Sequence, residues 1–149
     1  MDGALCRSEV PSMNALSPHR LRPGTVVTVQ MKGIFKLAHH FALVTDKTGP
    51  DGLPLVIANS GESGGPGEQS WTGFVKGRSY RAFYPSTLPP ETVLYNAYSM
   101  LGTRYDLIHW NCEHFANACH GRPAHSHQVR GGLVVAALMG GLALIAARA

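Results

Sequence analysis

The sequence predicts an α+β protein in which an antiparallel sheet packs against helices. Three observations carry this. Segments that alternate apolar and polar residues fill the first half of the chain, and segments with apolar residues at helical spacing fill the second. Turn signals built from Pro and Gly separate them. A run of strands followed by helices is the order expected of α+β rather than of alternating α/β architecture. The length of 149 residues suits one domain with a core of its own, and 44% apolar with 15% charged residues is a globular composition.

Residues 1–20 lack periodicity and read as a flexible N-terminal arm. Pro23-Gly24 then makes a turn, and Val27 and Val29 alternate with Thr28 and Gln30 in the first strand. AHHFALVTD is the second, with His40, Ala42 and Val44 on one face and His39, Phe41 and Leu43 on the other. TGPDG turns the chain, and LPLVIANS pairs back as a hairpin. GESGGPGEQ reads as a flexible loop, and RSYRAFY as a further strand with aromatic alternation. Pro89-Pro90 opens a helix in which Val93, Leu94, Ala97, Tyr98 and Leu101 share a face, Glu91 suits the N-terminus and Gly102 ends it.

The stretch HWNCEHFANACHG, residues 109–121, holds two cysteines and three histidines. Asn111 is a good N-cap and Gly121 a good C′ residue, so a short helix is expected between them. Cys112, Phe115, Ala116 and Cys119 fall on its inward face, while Glu113 and His114 point away. Cys112 therefore stands in the first turn, where free N–H groups and the positive dipole end favour a thiolate. A thiol nucleophile needs a base, and His40 is the candidate, mid-strand among apolar residues. His39, facing the other way, is the weaker choice. Asn59, on the strand paired with that of His40, is the expected third group, able to orient the imidazole.

A metal reading is weaker. Cys112, His114, Cys119, His120, His125 and His127 crowd sixteen residues, but there is no C-x2-C pair, and Cys112 and His114 diverge by about 200° on a helix. No metal and no cofactor are expected. The thirteen Lys and Arg are scattered, and a net charge of +4 without a basic run excludes a nucleic-acid surface. Cys112 and Cys119 lie about 10 Å apart on a helix, beyond disulfide reach. Free thiols and an N-terminus without an apolar stretch point to a reducing compartment.

The tail, residues 131–147, is uncharged and bounded by Arg130 and Arg148. As a helix it would span about 25 Å, against a hydrocarbon core of about 30 Å, and it is apolar all round. It reads as a C-terminal hydrophobic helix and membrane anchor with snorkelling arginines, or otherwise as a buried terminal helix.

NCEHF, followed by Gly121, Ser126 and Gln128, resembles the NC box of the lecithin:retinol acyltransferase family. LRPGTVVTVQ, HHFALVTD and YDLIHW resemble that family's opening strand, histidine strand and approach to the nucleophile. The resemblance covers about residues 21–130 and implies a circularly permuted NlpC/P60 papain-like fold, histidine before cysteine, with His40 on the family's catalytic histidine. It implies thiol chemistry in which Cys112 takes an acyl group from a lipid or other ester as a thioester and passes it to an amine, an alcohol or water. Where vertebrate members have a second histidine, this chain reads Ala58-Asn59, closer to a bacterial or phage-type member. The expected protein is a membrane-associated acyltransferase or phospholipid acyl hydrolase with its catalytic domain, residues 21–130, in the cytoplasm. A cysteine peptidase or amidase on the same fold, and a binding module presenting loop 61–67 at a membrane, are the alternatives.

Overall fold

The structure, a computed structural model, describes residues 17–32 and 38–130. The expected arm lies outside these residues apart from its last four, of which Pro18–Arg20 form a 3-10 turn. The expected C-terminal helix, residues 131–147, also lies outside them. Among the described residues no helix is long and apolar enough to cross a membrane.

The architecture is α+β. Strands β1 (Val26–Gln30), β2 (His39–Thr48), β3 (Pro54–Ser60), β4 (Gly65–Gln69) and β5 (Tyr80–Phe83) form one sheet in the order β4-β3-β2-β1-β5. Every neighbouring pair is antiparallel. Helices α1 (Trp71–Val75), α2 (Pro90–Ser99) and α3 (Cys112–Cys119) cover it.

Strand alternation gives the sheet two apolar faces, and each acquires its own core. Val27, Val29, Ala42, Val44, Val56 and Ala58 pack with Trp71, Phe74 and Val75 of α1. Val26, Leu43 and Ile57 face the other way and pack with Val93, Leu94, Ala97, Phe115, Ala116 and Cys119 of α2 and α3. The molecule is thus three layers, with the sheet between α1 and the α2–α3 pair.

One expectation needs correction. The glycine-rich stretch is not simply a loop, since Gly65–Gln69 is strand β4, laddered to β3 through Ala58↔Gly67 and Ser60↔Gly65. Its glycines serve a close approach: a Cβ on Gly65 would collide with the Thr103 carbonyl. Tyr105 N–H bonds Gly64 C=O at 2.9 Å, so the strand is tied to the segment that leads into α3. Glu113 and His114 are both buried, though neither joins the α2–α3 core. The helix wheel places them off the sheet-facing side, but residues 123–130 fold back and cover that side.

Candidate active site

Helix α3 begins where the sequence requires it. The Asn111 side-chain oxygen accepts the N–H groups of Glu113 (3.0 Å) and His114 (3.2 Å), and His114 Nδ1 accepts the Asn111 N–H (3.1 Å). This reciprocal capping box fixes the first turn, and the Asn111 side-chain amide also donates to Leu107 C=O at 2.9 Å. At the other end Gly121 adopts φ +63°, and the Gly121 and Arg122 N–H groups return to Ala118 and Asn117 C=O in a Schellman arrangement. Cys112 is the first residue of this doubly capped helix.

The Cys112 thiol meets β2 at its backbone. Its Sγ lies 4.0 Å from the His39 carbonyl oxygen, and the Phe41 N–H also reaches it. Burial nevertheless dominates, pushing the thiol up to about 11 against the smaller opposing pull of the Phe41 and Glu113 N–H groups. The helix terminus therefore does not leave a resting thiolate: at neutral pH the sulfur carries its proton.

His40 is one residue away along β2, but its ring takes the α1 face, 5.1 Å from the ring of Phe74. Among the described residues no hydrogen bond joins it to Cys112. Burial, seconded by Arg78, lowers its pKa to about 4, so at neutral pH it is an uncharged imidazole. Asn59 is fully buried, and alternation puts it with Ile57 on the α3 face. Its Nδ2 donates to Trp110 C=O at 2.8 Å, two residues before Cys112, while its Oδ1 is buried without a hydrogen-bond partner among the described residues. The structure thus draws Cys112 to the backbone beside His40, ties Asn59 to the entry of α3, and leaves the His40 ring on the opposite face.

Around the sulfur lies a polar set that single-residue reading missed. The buried Glu113 carboxylate accepts the Ser126 hydroxyl at 2.6 Å, the Gln128 N–H at 3.3 Å and Gln128 Nε2 at 3.4 Å. The Gln128 side-chain amide in turn accepts the His39 N–H at 2.6 Å and donates to His39 C=O at 3.0 Å. The available signal was the spacing of Ser126 and Gln128 behind the NC box, which the resemblance marked without giving either residue a task.

Of the other candidates, Cys119 and His120 are structural, while His125 and His127 pair at the surface with their Nε2 atoms 3.3 Å apart. Cys119 is fully buried in the α2–α3 core, where burial pushes its thiol up. His120 is buried between Ser86 Oγ (2.7 Å from Nδ1) and Gly24 C=O (2.9 Å from Nε2), joining three elements of the fold. Among the described residues no group of three His, Cys, Asp or Glu side chains converges as metal ligands would. An open cleft of about 540 Å³ flanks the start of α3, lined by Ile108, His114, Pro123, Ser126 and Val129 among others, with Cys112 not in its wall.

Comparison with curated proteins and with solved structures gave no match. The model of the lecithin retinol acyltransferase family does match, over residues 67–123. The matched segment runs from β4 to the turn after α3, with Cys112 inside it and His40, Asn59 and Gln128 outside.

Proposed function

We propose that this protein is a thiol-dependent acyltransferase or phospholipid acyl hydrolase in which Cys112 is the nucleophile, His40 the base and Asn59 the group that orients it. The family suggests acyltransferase-type activity. The observation that carries the finer reading is Cys112 itself: a half-buried thiol at the head of a capped helix, inside the family segment, pressed on the backbone that bears His40.

In the resting state both groups are uncharged, and proton transfer between them requires substrate binding to relieve the burial that sets a thiol at about 11 against an imidazole at about 4. The proton sits on sulfur, and the imidazole is neutral. Attack transfers the thiol proton to His40 as the S–C bond forms at the ester carbonyl. The tetrahedral intermediate then collapses, and the leaving alkoxide recovers the proton from the imidazolium. A thioester remains on Cys112, and water, an amine or an alcohol takes the acyl group by the reverse steps. The transfer requires the imidazole to leave the Phe74 side of the sheet for the α3 side, so this reading depends on a local change in the backbone of β2 at His40. The unused Asn59 Oδ1 can accept the second N–H of the ring once it arrives. The Cys112 N–H, at the helix start, is the natural donor to the oxyanion.

The histidine-before-cysteine order fits a circularly permuted NlpC/P60 papain-like fold. Residues 131–147 would serve as the membrane anchor that keeps the domain on the cytoplasmic side of a lipid surface. The test is turnover of a short-chain phosphatidylcholine, followed by release of fatty acid and lysophospholipid or by transfer to an added amine. Wild type is expected to turn over, with Cys112→Ala and His40→Ala reduced by about 10³-fold or more, in the range lost with nucleophile or base. His39→Ala is the control: loss of turnover in His39→Ala with His40→Ala still active would assign the base to the histidine on the α3 face instead. Wild-type turnover of an amide or peptide but not of the lipid would favour the cysteine amidase reading.

A further inference from the structure

Strand β2 loses its partner at the point where the sulfur meets it. The β2–β3 ladder runs through Leu43↔Ile57 and Val44↔Val56. At His39, four residues outside the Leu43↔Ile57 pair on the same edge of β2, both backbone groups are taken by the Gln128 side chain instead. A primary amide presents one acceptor and one donor in a plane, the same pair that a strand residue offers to its neighbour. Gln128 thus occupies the place of a missing strand residue. The Phe41 N–H, next along that edge, is left to face Cys112. The Gln128 amide is itself oriented, since its Nε2 and its backbone N–H both go to the carboxylate of Glu113, the residue that follows the nucleophile.

Resting on the catalytic reading above, we infer that Gln128 and Glu113 are positioning residues: they clasp β2 at His39 to the first turn of α3 and so fix the His40 backbone relative to Cys112. Neither touches the reacting atoms. Glu113 moves with the nucleophile because it is adjacent to it, and Gln128 moves with the base because it holds the preceding residue. The Ser126 hydroxyl, bonded to Glu113 at 2.6 Å and accepting the Val129 N–H at 3.2 Å, keeps the segment carrying Gln128 against the helix. The NC box and the Ser-x-Gln that follows it are then one device, a bridge from nucleophile to base through the strand edge.

The test compares wild type with Gln128→Ala, Gln128→Met and Gln128→Glu in the full chain, with thermal melts to establish folding. Methionine keeps the length and bulk of the side chain without either hydrogen bond, so it serves if alanine fails to fold. Two readouts are taken: acylation of Cys112 by a short-chain phosphatidylcholine, and the pH midpoint of its alkylation by iodoacetamide. Freed from the clasp, the strand edge should admit water, and the alkylation midpoint should fall by at least one pH unit toward that of an ordinary cysteine. Acylation should meanwhile slow by about 10- to 100-fold with KM little changed, the scale of an ångström-sized misplacement. A thiol that ionises more readily yet reacts more slowly is a signature that mere loss of stability would not give. Gln128→Glu should be defective at neutral pH, where its carboxylate cannot donate to His39 C=O and repels Glu113, and should recover as acid protonates it. Folded Gln128 variants with the wild-type midpoint and rate would overturn the inference. Should wild type form no acyl adduct, the catalytic reading fails, while the alkylation midpoints still decide whether the clasp holds the strand.

Discussion

At Cys112 and His40 the same physical effect acts in opposite chemical directions. Burial raises the thiol to about 11 and lowers the imidazole to about 4, and in each case the uncharged form is favoured. Linkage then gives the pH dependence of stability. His40 has a folded value below its unfolded one, so the unfolded chain binds more protons from about pH 6.5 down to about 4, and stability falls as pH drops through that window. Cys112 has a folded value above its unfolded one, so the unfolded chain loses its proton first, and stability falls as pH rises from about 9 to about 11. Between these windows the pair costs nothing. Denaturant melts should show His40→Leu flattening the acid limb and Cys112→Ala flattening the alkaline limb. Unchanged limbs would mean that neither group is buried as described. In the same way, wild-type alkylation by iodoacetamide should still be rising at pH 10. A plateau by pH 8 would indicate a resting thiolate and a different mechanism.

The elements hold these residues through a small number of local devices. Asn111→Ala removes the acceptor for two N–H groups and should cost about 1–2 kcal/mol, lowering Tm by a few degrees and loosening the turn that carries Cys112. Gly65→Ala should do more harm than its exposed sequence context suggests, since the added methyl meets the backbone of Thr103 and strains the link from β4 to α3. A wild-type Tm for that variant would contradict the close approach. Caps of this kind were legible in the sequence because they are local: Asn111, Glu113 and His114 lie within four residues, and Gly121 marks its own positive φ. The β2–β3 hairpin was legible for the same reason, as two alternating runs around one turn. Strand β4 was not, because glycines carry no side-chain period and its strand state depends on β3. The burial of Glu113 was not legible, because the segment that covers it lies beyond the helix end, where a helical wheel has no information. Alternation did place His39 and His40 on opposite faces. It could not tell which face α3 would take, since that is decided by a chain crossing and not by either element alone.

In the whole molecule, Cys112 stands on the α2–α3 layer, the His40 ring reaches toward the α1 layer, and the sheet lies between them. Its integrity depends on the α2–α3 core: Phe115, fully buried beneath the nucleophile's helix, should cost about 3–5 kcal/mol on truncation to alanine and take activity with it. The Asn96 side-chain amide, bonded to Cys119 C=O at 2.9 Å, fastens α2 to the far end of the same helix. The central claim is that Cys112 carries the acyl group. The most direct measurement is the intact mass of the full chain after brief incubation with a short-chain phosphatidylcholine and acid quench, followed by hydroxylamine treatment and peptide mapping. The account predicts a gain of one acyl chain on wild type, labile to hydroxylamine, mapped to the peptide containing Cys112 and absent from Cys112→Ala. An adduct that persists in Cys112→Ala, or a wild-type chain that turns over the lipid with no hydroxylamine-labile mass at any quench time, would contradict it.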